Sequence, residues 1–318
     1  MTAPPHPLLH WIPYRLIYQH TEGWLLEWLN LSDQQITEPF FEETISRCRH
    51  RQMKISAAKS CSGLDLLLDT AEQIPCLIPS AFIFHVSRCG STLLSQAFAE
   101  QEQNIVISEA PLLDEILRAE EKDKSVTANQ KEEWFKAALN LMGQQRNFKE
   151  DAFIIKLDCW HVHFYDQLRL WFPDTPFFFL SRRPEEVIAS HEKKRGMHVV
   201  PGMVDNDLLK INPAIDYQGD LNAFAADVLQ GYYEQLICIR QFNHSGNKFF
   251  DYAAGVQEMI AEFASFTATV IQNPEQLSQR LTYHSKDARE IFKGDLPADK
   301  EKLYYKNCLA AYHKLIQI

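Results

Sequence analysis

The sequence predicts an α/β fold of three layers, with a central and mainly parallel sheet between two layers of helices. Four apolar runs, at residues 81–86, 105–108, 152–157 and 176–181, each precede a stretch with helical spacing. Alternating strands and helices are typical of a parallel sheet with helices on both faces. The runs are apolar throughout rather than alternating with polar residues, which indicates strands that are buried on both faces.

Residues 1–75 precede this pattern, and we interpret them as an N-terminal subdomain or cover on an α/β domain formed by residues 76–318. A chain of 318 residues, 46% of them hydrophobic, is long enough for one large domain or two smaller ones with a substantial core. The α/β pattern begins only after the first part, which is why the boundary is placed there.

Two elements are predicted within the N-terminal part. Residues 23–31 fit either a strand or a short helix. Residues 37–50 predict a helix, with Thr37 as its cap, Pro39 in its first turn and two glutamates near its positive end. This part of the chain is therefore expected to have regular structure of its own.

The middle and the last third of the chain predict further helices. Apolar residues recur at helical spacing over 134–142, 221–239 and 303–315. We interpret these stripes as the core-facing sides of helices, so the C-terminal third is predicted to be mainly helical. A short run at 248–252 predicts one more strand of the sheet.

Composition and charge restrict the classes of partner and compartment. The formal net charge of −10 argues against a broad nucleic-acid-binding face. No apolar run approaches the roughly 20 residues of a membrane span, and the first residues lack a secretory signal pattern. The 7 cysteines are scattered without a CxxC pair, so reduced thiols are expected, without a zinc site or disulfide framework. These features predict a cytoplasmic protein with no nucleic-acid or membrane partner.

The loop after the first strand, SRCGST at 87–92, has the composition of a phosphate-binding loop. Gly90 lets backbone N–H groups approach an anion closely, and Ser91 and Thr92 add hydroxyl donors at the start of the next helix. Arg88 adds a fixed positive charge with several donors. The lysine of the nucleotide-binding pattern G-x-x-x-x-G-K-[ST] is missing. The alternative interpretation is an ordinary strand-to-helix turn that is capped by Ser and Thr.

This loop resembles the 5'-phosphosulfate loop of sulfotransferases that use 3'-phosphoadenosine 5'-phosphosulfate (PAPS), whose pattern is roughly [K/R]-x-G-[S/T]-[S/T]. The resemblance implies a P-loop-like strand–loop–helix that holds the 5'-phosphate, with the basic residue on the bridging oxygen and phosphate. The residues that it implies as donor-binding are Arg88, Cys89, Gly90, Ser91 and Thr92.

A second stretch, SRRPEEVIAS at 181–190, resembles the 3'-phosphate element of the same family, R-[N/D]-P-x-[D/E]-V-x-x-S. The resemblance maps the arginine and the serine that grip the 3'-phosphate onto Arg182 and Ser190. Arg183 stands where the family has Asn or Asp, so either arginine can point toward the ligand, and we favour Arg182. Both arginines end a predicted strand, which is where doubly wound sheets bind ligands.

Sulfonyl transfer needs a base that takes the proton of the attacking acceptor, and two regions provide candidates. Glu109 follows the second predicted strand and resembles the base glutamate of tyrosylprotein and heparan-type sulfotransferases. Cytosolic sulfotransferases instead have a K-[ST]-H-L-P stretch, in which Lys156 matches the lysine but Asp158 stands in place of the histidine. His161 and Asp158 are therefore candidates behind Glu109. His163 also lies in this stretch, and a place in the packing of the next helix accounts for it as well as a role as base does.

The resemblance implies an enzyme that transfers a sulfonate group in line from PAPS to a hydroxyl or amine acceptor, with 3',5'-ADP as product and no metal. The catalytic residues it implies are Arg88, Glu109 and His161. One alternative is a P-loop kinase that uses Mg-ATP, with Asp158 as its magnesium-binding aspartate. The other is a catalytically inactive member that binds a nucleotide.

Two later stretches are weaker candidates for a role near the ligands. Residues 285–295, SKDAREIFKGD, are similar to a late K-G loop of the family that contacts the donor, through Lys286 and Lys293. Residues 195–203, RGMHVVPGM, fit either a lid over the acceptor pocket or a connection between helices. The acceptor, whether phenol, lipid, sugar or peptide, has no recognisable motif, and neither does an oligomeric state.

Overall fold

The structure is a computed structural model, and it describes residues 6–272, 283–284, 287–291 and 305–318. The chain divides into two compact units. Among the described residues, the first unit contains 6–81, 95–156 and 271–272. The second contains 82–94, 157–270, 283–284, 287–291 and 305–318.

The elements follow one another in an order that alternates strands and helices from residue 81 onward. They are β1 (Trp11–Gln19), β2 (Gly23–Asn30), α1 (Phe41–Met53), β3 (Ser60–Ser62), α2 (Leu64–Gln73), β4 (Ala81–His85), α3 (Ser91–Ala99), β5 (Asn104–Ser108), α4 (Pro111–Leu117), α5 (Ala119–Lys122), α6 (Ala128–Met142), β6 (Ala152–Lys156), α7 (Tyr165–Trp171), β7 (Phe177–Ser181), α8 (Pro184–Lys193), α9 (Asn206–Leu209), α10 (Leu221–Gln241), β8 (Asn247–Asp251), α11 (Val256–Thr267), β9 (Tyr283–His284), β10 (Asp287–Ile291) and α12 (Tyr305–Gln317). Short 3₁₀ helices lie at Cys159–Phe164, Met197–Val199 and Tyr252–Ala254. Of the helices described, none combines the length and the apolar character needed to cross a membrane.

Five strands form a parallel sheet in the order β5-β6-β4-β7-β8, with helices flanking it, which confirms the predicted α/β class. Each lies within one residue of its predicted position. Every residue of β4, β5, β6 and β7 is buried, in agreement with their unbroken apolar character. In the first unit β5 pairs with β6, and in the second unit β7 pairs with both β4 and β8.

The N-terminal part of the first unit is a small antiparallel sheet in the order β1-β2-β3. The stretch that fitted either a strand or a short helix is β2. Its partner β1, which contains Pro13, was not predicted. The structure accommodates Pro13 at the sheet edge, next to an irregularity in the register between Pro13 and Arg15. Proline lacks the N–H of a central strand and is confined to such edge positions.

The helix predicted over residues 37–50 begins later than expected, at Phe41, and Thr37 is not its cap. The physical reason is Pro39, which disfavours the helical conformation of the residue before it and so keeps Glu38 outside the helix. Glu38 still stabilises the first turn of α1, because its carboxylate accepts a hydrogen bond of 2.7 Å from the hydroxyl of Thr44.

Stacked aromatic side chains support the register of the strands in the second unit. Phe84, Phe179 and Phe249 are paired across β4, β7 and β8 in the strand register. Their rings stack in sequence, with centroids 4.9 Å apart in the first pair and 4.7 Å in the second. The register also pairs His85 with Leu180 at the carboxyl ends of β4 and β7. The loops that follow these two strands therefore leave the sheet side by side.

Arg169 lies at the other end of this part of the sheet, where β7 and β8 begin. Its guanidinium lies 3.6 Å from the ring centroid of Phe177 and donates to the carbonyl oxygens of Phe172, Thr175 and Gly246 over 2.8–3.1 Å. Only 9% of the residue is exposed, and burial lowers the pKa of its guanidinium. Arg169 therefore connects the start of β7 to the turn before β8.

We expect Arg169→Gln to lower the free energy of unfolding by about 3 kcal/mol, because it leaves several buried carbonyl groups without their charged donor. Urea denaturation followed by circular dichroism measures this loss. The matched control is Arg47→Gln, whose guanidinium is 38% exposed and pairs with Glu38. An exposed pair contributes about 0–1 kcal/mol, so equal losses in the two variants would contradict the prediction.

Candidate functional site

The loop that follows β4 has an uncommon backbone. Ser87, Arg88 and Gly90 have φ values of 74°, 49° and 85°, in the left-handed region that residues other than glycine rarely adopt. The helix α3 begins directly after the loop, since the N–H of Leu94 donates to the carbonyl oxygen of Gly90 over 2.9 Å. The N–H groups of the first helical turn have no acceptor within the helix and suit an anion. Residues held in such conformations concentrate at functional sites.

The side chains of this loop differ in what they can offer a ligand. Ser91 and Thr92 occupy the first two positions of α3 and are 4% and 7% exposed. Cys89 is fully buried, so it can contribute to an anion site only through its backbone. The guanidinium of Arg88 donates to the carbonyl oxygen of Lys194, one residue beyond α8. The loop therefore presents backbone N–H groups, two hydroxyls and one guanidinium.

Gly90 is required by its surroundings as well as by its backbone. A Cβ atom at this position would lie 2.5 Å from Cε2 and 2.7 Å from Cδ2 of Tyr252. The ring of Tyr252 thus packs directly against the α-carbon of Gly90, and any side chain at position 90 would displace either the ring or the loop.

We expect Gly90→Ala to lower the free energy of unfolding by about 2–5 kcal/mol, the sum of a left-handed backbone and an overpacked contact. The matched control is Gly219→Ala in the same unit. Gly219 has a similar φ of +79°, but a Cβ there has no atom of the described residues within 4 Å. The control should lose only about 1–2 kcal/mol, from the backbone alone. Thermal unfolding of both variants checks this difference, and equal shifts would contradict it.

Arg182 joins the loop after β7 to the loop after β4. It is 8% exposed, and its Nη1 donates to the carbonyl oxygen of Arg88 over 3.0 Å, although the two residues are 94 positions apart in the chain. Its Nε donates to Glu186 over 2.6 Å, and its guanidinium carbon lies 4.8 Å from the ring centroid of Tyr252. The two anion-binding elements predicted from the sequence are therefore in direct contact within the second unit.

The neighbouring predicted residues are arranged differently from Arg182. The side chain of Arg183 is 44% exposed and lies 3.4 Å from the buried carboxylate of Glu185. Ser190 is half-buried on the same helix. The hydroxyl of Tyr233 donates to the carbonyl oxygen of Arg182 over 2.6 Å and fixes the backbone of the loop. Of the two adjacent arginines, Arg182 is the one that contacts the loop after β4.

Glu109 lies in the first unit, directly after β5. Its backbone is left-handed, with φ at 54°, and its N–H donates to the carbonyl oxygen of Lys156 over 2.7 Å. Its carboxylate forms an ion pair with the ammonium group of Lys156, whose side chain is fully buried and lies 5.2 Å from the ring centroid of Phe40. The buried ammonium group stabilises the negative charge of Glu109, which remains 22% exposed. The ion pair favours the ionised carboxylate, which is the form that a proton acceptor needs.

His161 and His163 are both held by packing in the second unit. His161 is 1% exposed, and its Nδ1 accepts the N–H of Asp158 over 3.2 Å at the start of a 3₁₀ helix. Its Nε2 lies 3.9 Å from a carboxylate oxygen of Asp158. Burial, with Lys210 nearby, lowers the pKa of His163 to about 4, and its ring packs 5.6 Å from that of Tyr232. These contacts favour the packing interpretation of His163.

Sequence reasoning missed some of the residues that surround the loop after β4. His85 and His191 both contact Ser87, and Tyr252 packs between Gly90 and Arg182. Tyr252 carried one usable signal, since it is an aromatic residue at the end of a predicted strand. The two histidines carried none. The weaker candidates Lys286 and Lys293 lie outside the described residues.

No protein-family model matches the chain, and no curated protein matches it. Solved structures of sulfotransferases are similar to it in fold. A sulfotransferase domain from the curacin biosynthetic pathway has a TM-score of 0.45 at 15% identity, over 75% of this chain and 98% of that one. A sulfotransferase from Alicyclobacillus acidocaldarius has a TM-score of 0.38 at 13% identity, over 65% and 90%. A mouse sulfotransferase complexed with PAP has a TM-score of 0.35 at 12% identity, over 67% and 66%.

Proposed function

We propose that this protein is a sulfotransferase that moves the sulfonate group of PAPS to a hydroxyl or amine acceptor. The observation that carries the proposal is the hydrogen bond of 3.0 Å from Arg182 to the carbonyl oxygen of Arg88. It joins two loops, each with the residue types that bind a phosphate, at the carboxyl ends of adjacent parallel strands. A donor with one phosphate on each side of its ribose matches such a pair of sites.

The second unit would bind the donor through both loops. The backbone of the loop after β4, with the hydroxyls of Ser91 and Thr92, would hold the 5'-phosphosulfate, and Arg182 with Ser190 would hold the 3'-phosphate. Arg88 would stabilise the charge that develops on the phosphate oxygen as the sulfur–oxygen bond breaks. A sulfonate carries less charge than a γ-phosphoryl group, so arginine and backbone donors suffice in place of the missing lysine, and no metal is expected.

Glu109 is the proposed base, and His161 the second candidate. As the new bond forms between the sulfur and the acceptor oxygen or nitrogen, the acceptor loses a proton that the base must take. Glu109 is partly exposed, and its carboxylate pairs with the ammonium group of Lys156, which orients it. His161 is 1% exposed and already bonded to Asp158, which is why it ranks second. The acceptor is a small molecule or another carrier of a hydroxyl or amine.

The test is a calorimetric titration of the protein with 3',5'-ADP and, separately, with ATP plus magnesium. Tight binding of 3',5'-ADP, and not of Mg-ATP, is the expected result, because only 3',5'-ADP has a phosphate on the 3' as well as the 5' position of its ribose. A preference for Mg-ATP would contradict the proposal and favour a kinase. Turnover of labelled PAPS with a set of phenol, alcohol, sugar and amine acceptors then separates an enzyme from an inactive nucleotide-binding protein.

A further inference from the structure

Ser87 is the first residue of the loop after β4, and two imidazole rings hold it. Its N–H donates to Nδ1 of His85 over 3.1 Å, and its hydroxyl oxygen lies 3.2 Å from Nε2 of His191. The backbone of Ser87 is left-handed, with φ at 74°, a conformation that costs a serine free energy. Both the backbone and the side chain of Ser87 are therefore fixed from outside the loop.

The hydrogen-bond partners determine the tautomers of both rings. Nε2 of His85 lies 3.0 Å from the carbonyl oxygen of Leu157, which can only accept, so Nε2 carries the proton and Nδ1 accepts from Ser87. Nδ1 of His191 accepts the N–H of Gly196 over 3.3 Å, so its proton is on Nε2 and is donated to the hydroxyl oxygen of Ser87. His191 is therefore a donor to Ser87, which is the wrong tautomer for a base that would activate the hydroxyl.

Burial makes these contacts rigid. His85 is 5%, Ser87 6% and His191 0% exposed, so packing locks both rings in place. His85 is the last residue of β4, and His191 lies on α8 next to Ser190. The histidine on α8 thus couples the helix that follows Arg182 to the first residue of the loop after β4.

We propose that His85 and His191 are positioning residues that hold the loop after β4 in the backbone conformation that binds the 5'-phosphosulfate. This rests on the proposed function for the identity of the ligand. Neither histidine is required to touch the donor, because each acts through Ser87. Their loss should weaken donor binding because the loop loses its conformation. Glycine at position 87, which adopts a left-handed backbone without support, should compensate for the loss of the contact with His191.

The decisive comparison is Ser87→Ala against Ser87→Gly, titrated with 3',5'-ADP. Both variants lose the contact with His191, but glycine adopts positive φ readily. We expect Ser87→Ala to lose at least about tenfold in affinity and Ser87→Gly to stay within about threefold of the unmodified protein. Equal losses would mean that the hydroxyl of Ser87 binds the ligand directly. No loss in either variant would mean that the contact between Ser87 and His191 does not affect binding. Each of these outcomes overturns the proposal.

The histidines are tested by His191→Leu, which should lose at least about tenfold, and His191→Gln, which keeps an N–H donor and should stay within about threefold. If His191→Leu does not fold, the Gln variant and the Ser87 pair still decide. The control is His244→Leu. Nδ1 of His244, like Nδ1 of His191, accepts a glycine N–H, that of Gly246 over 3.0 Å, but His244 lies before β8 and away from the loop after β4. Equal losses in His244→Leu and His191→Leu overturn the proposal.

Amide hydrogen exchange of residues 86–92 without any ligand separates this inference from the proposed function. We expect His85→Leu to speed exchange in this segment, with His244→Leu unchanged there, since only the first breaks the bond to the N–H of Ser87. If the unmodified protein does not bind 3',5'-ADP, the proposed function is wrong, and the exchange result alone then decides whether the histidines hold the loop. Unchanged exchange in His85→Leu overturns the proposal.

Discussion

Replacement of Arg88 by alanine should reduce the rate constant of sulfonate transfer by about 10²–10³, the effect of removing one donor that stabilises a developing negative charge. The side chain of Arg88 is only partly buried, so the fold should tolerate its replacement, which removes the contact with the carbonyl oxygen of Lys194. Steady-state turnover of labelled PAPS measures the rate. The affinity for 3',5'-ADP should fall much less, because the loop backbone and Arg182 remain.

Two variants sharpen the interpretation of Arg88→Ala. Arg88→Lys keeps the positive charge but loses the planar set of donors, so its rate should lie between those of alanine and the unmodified protein. Arg183→Ala removes an exposed arginine beside the same site and should change the rate by less than about threefold. If Arg88→Ala stays within about tenfold of the unmodified rate constant, Arg88 does not stabilise the leaving group.

Replacement of Arg182 by alanine should weaken the binding of 3',5'-ADP by about 100-fold, since a charge-assisted contact to a phosphate is worth roughly 1.5–3 kcal/mol. Arg182 is 8% exposed and also bonds the carbonyl oxygen of Arg88, so its loss should remove the proposed contact with the 3'-phosphate and loosen the first loop. Calorimetric titration measures the affinity. Equal affinity in this variant and in the unmodified protein would refute the assignment of the 3'-phosphate.

A ligand without the 3'-phosphate separates the two roles of Arg182. Adenosine 5'-phosphosulfate can contact the first loop but offers Arg182 no 3'-phosphate. Arg182→Ala should therefore cost much less affinity for this ligand than for 3',5'-ADP. The matched control is Arg183→Ala, which removes a side chain that is 44% exposed, and it should change neither affinity by more than about threefold. Equal losses for both ligands would mean that Arg182 acts only through the loop.

The strands of the parallel sheet were predictable because their signal is local. A run of apolar residues with a helical pattern after it has few other stable outcomes, and all five strands lie within one residue of their predicted positions. The first strand of the chain was not predicted. It contains Pro13, which disagrees with a central strand, and only the sheet order makes it an edge. The late start of α1 had a local cause, the effect of Pro39 on Glu38, that the prediction of Thr37 as cap overlooked.

The candidate site was predictable where its residues form contiguous patterns. The composition of the loop around Gly90 and the spacing from Arg182 to Ser190 are visible in the sequence, and the parallel register then places the two loops side by side. His85, His191 and Tyr252 carry no such pattern. Their contacts with the loop after β4 join different elements, so only the packing of those elements creates them.

The sequence by itself determined the α/β class, the strands of the sheet and the two loops that suit phosphates, because each depends on residues within one short segment. The tertiary structure alone decided which of two adjacent arginines contacts the first loop. Side chains at consecutive extended positions point in opposite directions, and packing around Tyr252 and Tyr233 turned Arg182 inward and left Arg183 exposed. It likewise decided that Ser87 is held by two histidines, because hydrogen bonds between β4, the loop and α8 exist only once the sheet has formed.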